Sequence, residues 1–158
     1  MTSLFKKLNF KEETEVIILN APTSFNPEIE AISTSTKVVE KMPSKGKISF
    51  ALVFVRQQKD IAATMSTVYP LLHGDAKLWM AYPKKSSKNY KTDISRDDGW
   101  AVMGQFNVEG VRQIAIDEDW SALRFRKVEY IKTMKRKPSM ALSKKGKSKI
   151  NQSKDGKK

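Results

Sequence analysis

Hydrophobic residues along this chain fall in short unbroken runs between polar stretches, with one segment of helical spacing. Residues 14 to 22, Thr-Glu-Val-Ile-Ile-Leu-Asn-Ala-Pro, form the first run, and Ile48 to Val55, Ile-Ser-Phe-Ala-Leu-Val-Phe-Val, form the strongest. Runs of this length, stopped by turn residues, suit strands covered on both faces, as in a parallel sheet. Between them, Asn26 with Pro27 after it can cap a short helix that turns Ile29 and Ile32 inward. Thr36 to Lys41 reads as a second strand, and Pro43-Ser44-Lys45-Gly46 as a turn. Ile61, Met65, Val68 and Leu72 recur at helical intervals, which predicts an amphipathic helix over 58 to 69 closed by Pro70 and Gly74. Ala76 to Tyr82 supplies the next strand, so 48 to 82 reads as a right-handed parallel crossover.

The second half of the chain changes texture. A polar loop from Pro83 to Thr92 precedes Ser95, whose spacing to Asp98 is a capping pattern. A helix is expected there, with Asp97 and Asp98 in its first turn and Trp100, Met103 and Phe106 on its buried side. Val111 to Ile116 reads as a strand, Asp117 to Trp120 as a tight turn, and Ser121 to Ile131 as an antiparallel closing strand. Leu123 and Phe125 alternate with Arg124 and Arg126, whereas Val128 and Tyr130 are out of phase, so a bulge is expected near Arg126 or Lys127. The fold class that follows is α/β: a Rossmann-like, doubly wound, mostly parallel sheet of about six strands with a final antiparallel strand.

Charge alters the picture at one end only. Residues 131 to 158 hold 11 Lys or Arg against one acid, Asp155, and so carry +10 of the net +13. The basicity belongs to the tail, and the body is nearly balanced. Apolar content collapses after Lys132, so burial there cannot offset the ordering entropy, about 1–2 kcal/mol per residue for the backbone. The expected division is a Rossmann-like domain over 1–131 and a disordered Lys-rich tail over 132–158. Lys135, Arg136, Lys137, Lys144, Lys145 and Lys147 in that tail are suited to nonspecific nucleic-acid contact through counterion release. A plain solubility tail is the competing account.

Cysteine is absent, which excludes thiol catalysis, thiolate metal sites and disulfides. No apolar run is long enough for a membrane span, and the first ten residues lack an apolar signal core. These features lead to the expectation of a cytoplasmic protein that makes no membrane contact.

With the strands placed, Leu71-Leu72-His73-Gly74-Asp75-Ala76-Lys77-Leu78-Trp79-Met80 resembles the turn before the fourth strand of class I methyltransferase-like Rossmann folds. More closely, Trp79 to Lys85, Thr92 to Arg96 and Ile116 to Arg126 are similar to a bacterial domain-of-unknown-function family of small Rossmann-like proteins. That resemblance spans about residues 14 to 128 and implies no established activity. Methyltransferases of this fold place glycines after the first strand so that backbone amides can approach the cofactor. This chain has Leu19-Asn20-Ala21-Pro22-Thr23-Ser24-Phe25 there, so no cofactor is expected.

Doubly wound sheets bind ligands outside the carboxyl ends of their strands. That rule gathers Asn20, Arg56, the loop Lys84-Lys85-Ser86-Ser87, and the turn from Asp117 through Trp120 to Ser121 as candidate ligand or anion contacts. The Lys-Lys-Ser-Ser loop, followed by a helix start, suits a phosphate; a solvated basic loop is the alternative. Asp117, Glu118 and Asp119 can serve as acid and base or hold a divalent ion, or simply keep a hairpin turn solvated. Trp120 and Arg124 suit a partner surface; alternatively, Trp120 packs over the sheet and the arginines pair with nearby acids. His73, the only histidine, falls in a turn away from that edge. The sequence therefore supports no catalytic residue and no metal site, and it points to a non-catalytic module for an anionic partner. A degenerate methyltransferase-like enzyme and a homo-oligomeric scaffold remain the alternatives.

Overall fold

Glu15–Leu19 (β1) lies between two parallel neighbours, Lys37–Val39 (β2) and Ile48–Phe54 (β3), and this position requires apolar side chains on both its faces. The computed structural model, which describes residues 2–131, completes the sheet with Leu72–Pro83 (β4), Val108–Ala115 (β5) and Trp120–Lys127 (β6). The strand order is β2-β1-β3-β4-β6-β5, and only β6 runs against its neighbours. The chain moves outward from β1 to β2 and returns on the other side of β1 at β3. The topological switch point is therefore the crevice between the carboxyl ends of β1 and β3.

One sheet face packs on Gln58–Val68 (α3), whose Ile61, Met65 and Val68 are fully buried, and on a 3-10 turn over Ala101–Phe106. The other face is covered by Ser3–Lys7 (α1) and Asn26–Ser33 (α2), through Leu4, Phe5, Ile29 and Ile32. Trp79, in the middle of β4, has no exposed surface, and its indole Nε1 donates to the carbonyl of Leu8 at 3.0 Å. This bond ties the amino-terminal segment to the sheet.

Six expectations are corrected. The segment after Ser95 is not an α-helix. Ser95 and Asp98 satisfy each other in a turn (Oγ to Oδ2, 3.2 Å), and Gly99 takes a φ of +100°, open only to glycine at low cost. Trp100 and Met103 are buried as expected, but they are presented by that turn and the short 3-10 segment. Strand β4 begins at Leu72, so His73 and Gly74 sit in a strand; Gly74, with φ +57°, lies where the β3–β4 register shifts. The bulge is on β5, between Gly110 and Arg112, while β6 ends at Lys127 and the phase change at Val128 is a 3-10 turn. Strand β2 is shorter than expected, at Lys37–Val39, and β5 starts earlier, at Val108. The helix α1 had no counterpart in the sequence reading. The tail expected over 132–158 lies outside the described residues.

Two ion pairs fasten the lower part of the sheet. Lys77 Nζ reaches Glu13 Oε1 at 2.6 Å and the Asn9 carbonyl at 2.7 Å, and Arg126 forms a fork on Asp75 at 2.8 and 2.6 Å. Burial raises the Glu13 pKa, but bonds from Lys77 and from the backbone of Lys11 outweigh it and hold Glu13 below its ordinary 4.5. The bonds from Arg126 hold Asp75 below its ordinary 3.8, against a smaller effect of burial. A carboxylate whose folded pKa is depressed stabilises the fold above its unfolded pKa and loses that contribution as pH falls through the folded value. Stability is therefore expected to be flat near neutrality and to decline below about pH 4.5. Urea midpoints measured between pH 7 and pH 2 check this, and the acid limb should be shallower in Glu13→Gln and Asp75→Asn. An identical limb in both variants would remove these carboxylates as its cause.

Candidate functional site

At the switch point the backbone leaves β1 through Asn20, which adopts a left-handed φ of 61°. Asparagine is among the few residues that reach this conformation at modest cost, so it provides the reversal that glycine gives in related turns. The chain then passes Ala21 and Pro22, makes a 3-10 turn over Thr23–Phe25 and enters α2 at Asn26. From β3 the backbone leaves through Val55 and Arg56 into α3. Asp60 Oδ2 accepts the amides of Arg56 and Gln57, both at 3.1 Å, in a reciprocal cap with the Gln57 side chain. Gln58 N–H goes to Asp93 at 2.8 Å, so the start of α3 is already well supplied with acceptors.

Between these two exits lies a cleft of about 510 Å³, lined by Asn20, Ala21, Phe54, Arg56, Asp60, Ala63 and Thr64. The small side chains of Ala63 and Thr64, both in the second turn of α3, leave the space open. Phe54 is wedged edge-on between Phe25 and Trp120, with ring centroids 5.0 and 5.1 Å away. Tyr90 packs on Trp120 at 4.9 Å, and the Arg56 guanidinium stands 5.0 Å from the centre of the Tyr90 ring. A continuous row of rings therefore leads from the core to the Arg56 guanidinium on the lip of the cleft.

The loop carrying Tyr90 is bolted to the β5–β6 hairpin. Asp117 Oδ1 accepts the amides of Asp119 and Trp120 at 2.8 and 2.9 Å. Asp119 accepts Ser87 Oγ at 2.8 Å and Asn89 Nδ2 at 3.1 Å, and its carbonyl takes the Lys84 amide at 2.7 Å. Ser87 Oγ in turn accepts the Asn89 and Tyr90 amides, both at 3.2 Å. Asp117 and Asp119 thus act as turn and loop fasteners. Among the described residues no group of three or more His, Asp or Glu side chains is placed to hold a metal ion.

Of the residues singled out in the sequence, Asn20 and Arg56 meet in the cleft. Lys84, Ser87, Asp117 and Trp120 belong to the loop and hairpin beside it, with Lys85 and Ser86 exposed on the outer side of that loop. The helix start expected after the Lys-Lys-Ser-Ser loop does not exist, which removes the dipole from that anion reading. Trp120 is only 1 % exposed, and its Nε1 has no hydrogen-bond partner. Ser121 is buried opposite Tyr82 in the β4–β6 ladder. Arg124 is separated from this edge: it sits four residues along β6, opposite Trp79, roughly 13 Å from Trp120 at strand rise. Phe54, Asp60, Ala63, Thr64 and Tyr90 were not foreseen. For Ala63 and Thr64 the signal was available, since beyond Asp60 the polar face of α3 carries only small side chains, Ala62, Ala63, Thr64, Ser66 and Thr67.

The first turn has few free backbone amides to offer a ligand. Pro22 and Pro27 have no N–H, and the Phe25 amide is taken by the Pro22 carbonyl at 2.9 Å. Glu40, just past β2, is exposed.

No family model matches this chain, and neither does any curated protein. Among solved structures it is similar to a SAM-dependent methyltransferase from Aquifex aeolicus, with a TM-score of 0.50 and 9 % identity over 78 % of this chain and 87 % of that one. A putative type 11 methyltransferase from Sulfolobus solfataricus superposes with a TM-score of 0.48 and 12 % identity, over 79 % and 90 % of the two chains. No helix among the described residues is long and apolar enough to cross a membrane. At such identities the likeness is one of architecture alone: the chain has a methyltransferase-like Rossmann fold.

Proposed function

We propose that this chain is a non-catalytic α/β module that takes an anionic ligand in the cleft between β1 and β3, with Arg56 as its charged contact and Asn20 as its polar one. The observation that carries this reading is Arg56 itself, held on Tyr90 at the mouth of a cleft whose volume suits a nucleotide-sized molecule. Asp60, the one acid among the described residues that lines the cleft, is occupied by two backbone amides. The protein works in the cytoplasm, and residues 132–158 add nonspecific nucleic-acid contact.

Calorimetry of the full chain against mononucleotides and adenosyl compounds tests the cleft. Saturable heat is expected, weakened at least tenfold in Arg56→Gln, and no heat with any of them would sink the proposal. Deleting 132–158 should abolish the tail's share of nucleic-acid binding, whose logarithm falls with that of salt at a slope of about five for roughly six phosphates neutralised. The second reading, a degenerate methyltransferase, draws on the fold likeness and on the glycine-like turn at Asn20. Tight adenosyl-compound binding insensitive to Arg56→Gln would favour it.

A further inference from the structure

The sheet face that carries Trp79 and Trp120 continues onto β5 and β6 as a cluster of arginines. Arg124 is the direct cross-strand partner of Arg112 on one side and of Trp79 on the other, so both arginine side chains leave the face that also bears Ile114 and Ala122. Like charges placed directly opposite each other in a ladder repel. A guanidinium cannot relieve that repulsion by losing its proton.

The neighbouring charges do not neutralise the pair. Asp75 is held by the fork of Arg126, and Glu13 by Lys77 and the Lys11 amide. Glu109, opposite Arg126, is fully buried and is not free. Among the described residues no acid lies within ion-pair distance of Arg112 or Arg124. The Nε of Arg124 is buried and has no hydrogen-bond partner, whereas Arg112 is exposed. Burial, and after it the charge of Arg126, hold the Arg124 pKa below its ordinary value, and the charges of Asp75 and Glu13 offset this only in part.

We infer that Arg112 and Arg124 form a binding site for a phosphate group, seated on the β5–β6 face and separate from the cleft at the switch point. Two planar forks of donors from adjacent strands match the oxygens of a tetrahedral anion. The β5 bulge between Gly110 and Arg112 sets the register that brings Arg112 opposite Arg124. The phosphate can come from a small phosphorylated molecule or from a nucleic-acid backbone, and the chemistry of the site is the same for both.

The test is a nitrogen–proton correlation spectrum of the arginine Nε–H groups in the full chain, assigned by through-bond correlation. The chain is titrated with inorganic phosphate and, separately, with a short oligothymidylate, each against chloride of matched ionic strength. The Arg124 Nε–H signal should move saturably, with a midpoint at least tenfold higher in Arg112→Gln, an exposed position whose replacement leaves the core intact. A lower midpoint per phosphate with the oligonucleotide would identify a backbone phosphate as the source, and a lower one with inorganic phosphate a small molecule. An Arg124 signal that moves no further than in chloride, or a midpoint unchanged by Arg112→Gln, would overturn the assignment. Neither outcome depends on Arg56, so failure here leaves the cleft reading standing.

Discussion

Replacing Trp79 with alanine is expected to cost about 3–5 kcal/mol, the range for truncating a fully buried aromatic side chain. The residue has no exposed surface, and it is the point where a central strand holds the amino-terminal segment through the bond from its Nε1 to the Leu8 carbonyl. With the whole stability of a domain amounting to about 5–15 kcal/mol, that loss leaves a marginal protein. Trp79→Phe separates the two contributions. It retains most of the packing but leaves the buried Leu8 carbonyl without its donor, a penalty of about 1–3 kcal/mol. Helix α1, five residues long, is too short to persist alone, so hydrogen exchange at the Leu8 and Phe10 amides should quicken in the phenylalanine variant before the sheet amides do. Urea unfolding gives the first quantity and exchange the second. A cost for Trp79→Ala below about 1 kcal/mol would show that the side chain is not the keystone its burial implies.

What could be read from the sequence follows from where each signal is local. The run Ile48 to Val55 and the spacing Ile61, Met65, Val68 each carry their own periodicity, and both elements form where it places them. The Ser95–Asp98 pattern misled because the same two side chains can close a turn as readily as cap a helix, and Gly99 decides for the turn. Helix α1 was missed because Leu4, Phe5, Leu8 and Phe10 make too short a pattern to stand out. Their burial is dictated by Trp79 and Phe50, far away in sequence. The site divides in the same way. The rule about carboxyl ends gathers Asn20 and Arg56, since it needs only the strand boundaries. Tyr90 could not be found, because its pairing with Arg56 and Trp120 depends on Asp119 drawing the loop onto the hairpin. Arg124 was grouped with the edge by proximity in sequence, and the strand rise carries it away.

Trp120→Ala should also cost about 3–5 kcal/mol, but with a different consequence for the candidate site. Trp120 stands between Phe54, which lines the cleft, and Tyr90, on which Arg56 rests. Its removal takes away the support beneath both, so ligand affinity at the cleft is expected to fall even though Trp120 is not among the lining residues. The two indoles should part company in their phenylalanine variants. The Nε1 of Trp120 is buried without a partner, so Trp120→Phe deletes an unsatisfied donor. Trp79→Phe instead breaks a bond and strands a carbonyl. Because an unpaired buried polar group costs about 1–3 kcal/mol, Trp120→Phe is expected to be the milder of the two by about that margin, despite equal loss of volume. Side-by-side urea unfolding of the pair decides the matter. Equal costs would mean that the Trp120 N–H has a partner in solution, and an acceptor held in the aromatic row beside the cleft would then become the first thing to look for.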